Sequence, residues 1–412
     1  MGKDLGQKLR LCFVSRYFTP MMGSGSPRVE DLSDMLARMG QDIHVVTIVP
    51  PRGFPKTGED TDCLERNKKV YRVRIPDGLP SPLYALISTL GLFLETLKVT
   101  LRSSVDLIWA TVPNEDSGLA GWLAAKITGR PFIVDIRDDW EVALIDETRG
   151  LERLLAKAIY YAFNILYASA DGVVCTSETL RRRVSVRRGS AEKVFKITNG
   201  FRLERTGPLT ERERRAVRRR YGAQEELVAF TGTLSSHQAP WNVVDAAREL
   251  RSRGAKALIV VAGGGPLLEG LRKRSIELSE PVRFVGPLRR DEVAGLIAAS
   301  DIGVITLRDS VACRSMIPLK FFDYIAGRLP IAASVPEDSE IAQMIREAKL
   351  GIVVGPEDPT GLADAIDQMV RDKDLRRMFK ENAGKIARRY NWKNLARSYL
   401  DLFLDVTRRG GN

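Results

Sequence analysis

The chain contains only two histidines and four cysteines in 412 residues. The cysteines (Cys12, Cys63, Cys175 and Cys313) form no CxxC pair, which argues against a zinc site or a disulfide framework and for a reducing compartment. Cys12 and Cys175 sit in apolar strand-like runs, where a thiol serves as a small hydrophobe. No glycine loop continues into GKS or GKT, so a Walker A site is excluded, and no stretch completes GxGxxG. The opening "MGKDLGQKLRLCFVS" has no apolar leader core, and Gly6 stands where a myristoylation signal needs Ser or Thr. Long apolar runs are scarce as well. In "PLYALISTLGLFLETLKVTL" (82–101) only about a dozen uncharged residues precede Glu95 and Lys98, too few to span a bilayer. That segment reads either as an amphipathic helix at a membrane surface or as a buried core helix.

What is present is a soluble globular profile: 44% hydrophobic and 28% charged residues, enough length for two domains. Net charge is +12, from 64 basic against 52 acidic residues, which favours anionic partners. Nucleic acid is not expected among them, because the basic residues spread along helices instead of interleaving with aromatics.

Short continuous apolar runs alternate with helical stretches through the first half: "LRLCFVS", "DIHVVTIV", "VYRVRI", "VDLIWAT", "PFIVDIR" and "GVVCTS". This is the signature of a parallel sheet covered on both faces. The pattern stops near "KVFKITNGF", a charged segment follows, and the alternation restarts with "LVAFTG", "ALIVVAGGG", "VRFVG", "DIGVITL", "LPIAAS" and "GIVVG". The expected architecture is α/β, with two Rossmann-like doubly wound domains facing a central cleft. Domain one covers residues 1–205 and is completed by a C-terminal helix at 391–412; domain two covers 206–390.

Ligands of such sheets bind beyond the carboxyl ends of the strands, so the loops there carry the candidates. After the first strand, Gly23, Ser24 and Gly25 allow backbone to approach a phosphate, or simply make a turn. "VVAGGGPLLEGL" offers the same choice at Gly264 and Gly265, with Pro266 suited to a first helical turn. "FTGTLSSHQAPW" brings Gly232 and His237; His44, inside a strand run, reads as filler. "PFIVDIRDDW" clusters Asp135, Arg137, Asp138 and Asp139, either a metal site or one ion pair plus a helix cap, the cap assigned to Asp139. Arg137 and Asp138 remain as candidates at the strand's end. In "IPLKFFDYIAGRLPI", Asp323 lies between aromatic residues with Lys320 a turn behind. A buried unpaired charge is costly, so the acid needs a partner or a ligand.

Taken together, the early glycine loop, "GGGP", "VRFVGPLRRDEVAGLIAASDIGVITL" and "IPLKFFDYIAGRLPIAAS" resemble the retaining GT-B glycosyltransferases of the family 4 type. The resemblance is to the bacterial surface-polysaccharide members in particular and covers nearly the whole chain. It implies that Asp323, in place of the usual Glu, holds the ribose of a UDP- or GDP-type sugar donor, and that Lys320 lies near the diphosphate. It further implies a saccharide acceptor, lipid-linked and at the cytoplasmic face, no cofactor and no bound metal. Three positions depart from the family pattern: Ser315 replaces an acid, Thr233 and Gln238 replace an Arg and a Lys, and Arg137-Asp138 replaces His-Asp. Lys320 and Arg314, with His237 as donor, are the expected substitutes for the lost cations. These departures keep two alternatives open, a catalytically impaired nucleotide-sugar-binding homologue and a nucleotide-sugar 2-epimerase.

Overall fold

The apolar runs form strands that are buried in the middle of each sheet and half-buried at its edges, most of them followed by a helix that carries the chain back, and neighbouring strands run parallel. In the computed structural model, residues 8–21, 26–52, 67–113, 115–202, 209–278 and 282–410 are described. Gly23, Ser24, Gly25 and Cys63 lie outside them. The chain divides into two compact units: Met1–Thr198 with Trp392–Asn412, and Asn199–Asn391.

The first unit runs β1 (Arg10–Val14), α1 (Ser26–Arg38), β2 (Asp42–Ile48), β3 (Lys68–Val73), α2 (Ser81–Arg102), β4 (Leu107–Val112) and α3 (Glu115–Thr128). It continues through β5 (Phe132–Ile136), α4 (Trp140–Glu147), α5 (Gly150–Ser169), β6 (Gly172–Cys175), α6 (Glu178–Arg188) and β7 (Val194–Lys196). The sheet order is β3-β2-β1-β4-β5-β6-β7. β7 extends the alternation one strand beyond the point where the sequence pattern was expected to stop.

The second unit begins with α7 (Glu211–Arg220), β8 (Glu226–Thr231), α8 (Trp241–Ser252), β9 (Ala257–Ala262), α9 (Leu268–Glu277), β10 (Val282–Gly286) and α10 (Arg290–Ala299). It closes with β11 (Ile302–Thr306), α11 (Val311–Ser315), α12 (Leu319–Ala326), β12 (Ile331–Ser334), α13 (Glu340–Glu347), β13 (Gly351–Val354), α14 (Pro359–Arg371) and α15 (Lys373–Ala387). Its sheet order is β10-β9-β8-β11-β12-β13.

The last helix, α16 (Trp392–Gly410), returns to the first unit and lies beside α1 on one face of that sheet. Trp392, Tyr399 and Phe403 share a core with Phe13 and Trp109, whose rings stand 4.6 Å apart. One polar cluster is buried in this layer. Arg28 of α1 donates to Asp135 (3.1 Å) and to the carbonyls of Ile197 (2.8 Å) and Thr198 (2.9 Å), while Tyr399 of α16 donates to the same carboxylate. Asp135 is thus committed to closing the unit.

The other face of the sheet carries α2, α3 and α5, through Leu92, Ala120, Ala124, Phe163 and Leu166 among others. α2 is one continuous helix. By length and composition Leu83–Arg102 could cross a membrane, so Glu95 and Lys98 do not cut it short as expected; Lys98 Nζ bonds Glu95 at 3.2 Å. Only 28% of its apolar window is buried, and Leu83, Leu86, Leu90, Leu94 and Leu101 face outward. A buried core helix is therefore not what this segment forms.

Candidate functional site

In the second unit the residues gather at the carboxyl ends of β8 and β9. The loop after β8 lies backbone to backbone against the glycine loop after β9. Gly232 N–H donates to Ala262 O (2.9 Å), Leu234 N–H to Gly264 O (2.8 Å), and Gly263 N–H to Gly286 O (2.9 Å). A β-carbon on Gly263 would fall 1.8 Å from the Gly232 carbonyl, and one on Gly265 would fall 2.5 Å from the Leu234 carbonyl. These two glycines are required by the loop contact itself. Gly232 is different. It is exposed and takes φ +119°, and a β-carbon there would have Lys320 Cε as its nearest neighbour, at 3.3 Å. Pro266 sits in the turn before α9, whose N-cap is Leu267, and not in the first helical turn as expected.

Lys320 enters this corner from the second residue of α12. Its ammonium lies 3.5 Å from the centre of the Phe230 ring, is buried, and has no hydrogen-bond partner among the described residues. Burial holds its pKa well below the ordinary lysine range. An isolated charge there would cost several kcal/mol, roughly, unless an opposite charge is placed beside it. Asp323 follows one turn later and is half-buried, between Phe322 and Tyr324, which are buried. Tyr324 Oη donates to Ala229 O (3.0 Å), anchoring α12 on the central strand.

His237 lies in a short 3₁₀ turn (Ser236–Gln238), half-buried, and its carbonyl accepts from Arg308 N–H (3.0 Å). Thr233 is exposed and Gln238 is tied to the neighbouring strand, its carbonyl accepting from Thr306. Arg314 does not serve as the expected substitute cation: it is held by Asp309 (2.8 Å) and Asp338 (2.9 Å). Arg308, just past β11, is the cation that sequence reasoning missed. It is exposed and forms no ion pair among the described residues, and only the pairing of its backbone with His237 reveals the position.

In the first unit, Arg137 and Asp138 stand at the carboxyl end of β5, both half-buried. Arg137 bonds the Val112 carbonyl through its backbone N–H (3.1 Å) and Nε (3.3 Å). Burial lowers its pKa, an effect that Asp138 and Asp135 oppose and Arg28 reinforces. An ion pair between Arg137 and a neighbouring acid, one of the two readings of this cluster, is absent among the described residues: Asp135 takes Arg28 instead. Asp139 occupies the N-cap position of α4 but makes no cap bond, because its carboxylate binds Arg183. Among the described residues no group of three or more His, Cys, Asp or Glu could hold a metal ion. His44 is a buried strand residue bonded to Tyr71 (3.1 Å).

Two family models match the chain. A glycosyl transferase 4-like domain covers residues 23–200, and a glycosyl transferases group 1 domain covers residues 213–386. The chain is 25% identical over 374 residues to an alpha-D-kanosaminyltransferase of Streptomyces kanamyceticus, covering 87% of this chain and 93% of that one. It is 27% identical over 222 residues to a D-inositol 3-phosphate glycosyltransferase of Corynebacterium urealyticum, a match that spans 51% of each chain. Its fold is shared with Anabaena HepE in complex with UDP-glucose, at a TM-score of 0.75 and 16% identity over 96% of this chain and all (100%) of the other.

Proposed function

Because the chain belongs to the GT-B glycosyltransferases, joining a glycosyl transferase 4-like domain to a group 1 domain, we propose that it moves a hexosyl group from a UDP- or GDP-type sugar to a saccharide acceptor with retention of configuration. Lys320 carries this reading. A buried amine without a partner among the described residues, set against an open glycine, is a site prepared for an anion, and a diphosphate leaving group develops negative charge as the glycosidic bond breaks. Asp323 would grip the ribose hydroxyls, and Gly232, Gly264, Gly265 and Pro266 would line the nucleotide with backbone. His237 and Arg308 would supply donors that Thr233 and Gln238 lack. Arg137 and Asp138 would act on the acceptor side.

The acceptor in this proposal is a lipid-linked saccharide of cell-surface polysaccharide synthesis, met at the cytoplasmic face of the membrane. The outward leucines of α2 support a peripheral contact, joined on the same sheet face by Leu151, Leu154, Leu155 and Ile165 of α5. Exposed apolar side chains gathered on one face are the kind of surface that marks an interaction.

A thermal-shift screen against UDP, GDP, ADP and their sugars tests the donor site, since a ligand bound only by the native state raises the melting temperature. One nucleoside diphosphate is expected to stand out, and Asp323→Ala is expected to raise the donor KM at least tenfold with the fold intact. Unchanged donor kinetics would remove Asp323 from the site. Incubation with donor alone separates transfer from epimerisation, which alone yields a new nucleotide sugar without acceptor.

A further inference from the structure

In a doubly wound sheet the ligand crevice opens where the strand order reverses. In the first unit that point lies between β1 and β4. Arg16 leaves β1 there, and its loop is pinned on several sides. Its N–H donates to Ser117 Oγ (2.8 Å) and its carbonyl accepts from Thr47 (3.0 Å). Ser15 donates to the Tyr17 carbonyl (2.9 Å), and Arg72 donates to the Thr19 carbonyl (2.8 Å). Residues 15–19, fixed in this way, need no further ordering when a ligand binds.

A guanidinium and a carboxylate ordinarily meet through two parallel bonds. Here Arg16 Nε donates to Asp116 Oδ2 (2.7 Å), but Asp116 Oδ1 already accepts from the Ser117 N–H (2.7 Å) and hydroxyl (3.3 Å). The fork is half used, and Arg16 Nη2 is buried without a partner among the described residues. Across β4, Arg137 makes its bonds to the Val112 carbonyl and no ion pair among the described residues. Val14 pairs with Ala110 and Val112 pairs with Ile136, so the two arginines leave the sheet on either side of Val112. Two strand spacings put their backbones ~10 Å apart, a distance two long side chains can close around one anion. Tyr17 lies within electrostatic reach of both.

We propose that Arg16 and Arg137 hold a phosphate or diphosphate group of the acceptor at the carboxyl ends of β1, β4 and β5. This rests on the glycosyl-transfer reading and names the acceptor's class within it. A prenyl chain is the favoured continuation of that phosphate. The Arg16 guanidinium sits over the ring of Tyr84 (5.7 Å to its centre) in the first turn of α2, where the exposed leucines begin at Leu83. A cationic corner therefore adjoins an apolar stripe, the arrangement an amphiphile with a charged head requires.

The test is calorimetric titration of farnesyl diphosphate and of inorganic pyrophosphate into the full chain saturated with its preferred nucleoside diphosphate. One additional site is expected, weakened at least tenfold by Arg137→Gln and threefold or more by Arg16→Gln, with nucleotide affinity changed less than twofold. Arg137→Lys, which keeps the charge without the fork, should fall between and guards against a misfolded variant. Tighter binding of farnesyl diphosphate assigns a lipid-linked acceptor, and equal binding assigns a soluble phosphorylated one. No second site, or one that both Gln variants leave intact, overturns the proposal. If no nucleotide binds, the donor reading fails by itself, and the same titration on the free chain still decides the role of the two arginines.

Discussion

Arg28 and Lys320 are both buried cations, one in each unit, and their surroundings are opposite. Arg28 is fully enclosed, with a carboxylate, a tyrosine hydroxyl and two backbone carbonyls around its guanidinium. Among the described residues Lys320 has an aromatic ring and no hydrogen-bond partner. A buried charge whose partners all come from the protein holds the protein together; one whose partners are missing is reserved for something that arrives. The difference separates a fastening from a binding site without reference to any relative.

The contrast can be broken by substitution. Arg28→Met leaves Asp135 buried and unpaired, and is expected to cost about 3–5 kcal/mol of stability, read by urea unfolding of the first unit. A loss under about 1 kcal/mol would mean, on the same scale, that Tyr399 alone satisfies the carboxylate. Lys320→Met is expected to do the reverse. Removing a buried amine with no hydrogen-bond partner among the described residues should stabilise the free chain by about 1–3 kcal/mol while weakening nucleoside diphosphate binding at least tenfold. A destabilised Lys320→Met would show that the amine is structural after all.

Protons sharpen the same comparison. Lys320 is held below its unfolded pKa, so the unfolded chain binds more protons and the free protein gains stability as pH rises, completing near the ordinary value of 10.5. An anion beside the amine reverses the shift. Binding of the nucleoside diphosphate should therefore take up a proton within the range below the ordinary value of 10.5, detected in a pH series as a calorimetric heat that varies with the buffer's ionisation enthalpy. A heat independent of buffer at every pH of the series would exclude contact with Lys320. The smallest effect is expected at Arg308, which is exposed: Arg308→Gln should weaken nucleotide binding roughly fivefold, as the loss of one hydrogen bond would. No change would leave the diphosphate to Lys320 and backbone amides.

Much of the fold was legible because continuous apolar runs of four to seven residues (β6 and β2 mark the limits among those read) are hard to build as anything but buried strands. β7 escaped because three residues carry too little pattern. The site was legible by place and less so by role. Asp139 stands at a cap position, as its spacing suggests, yet Arg183 on a later helix claims its side chain. Arg314 looked available until Asp338, on a distant loop, occupied it. Arg16 gave no signal at all, since its unfilled fork depends on how Asp116, a hundred residues away in sequence, divides its two oxygens. Such pairings are decided by tertiary proximity, which periodicity does not encode.

α16 has one more implication, for synthesis. Its aromatic residues complete the core of the first unit, yet they are translated after every strand of the second. On the ribosome the second unit therefore has all its own residues before the first does, and the amino-terminal half must wait, with Phe13 and Trp109 uncovered by Tyr399 and Phe403, until α16 emerges.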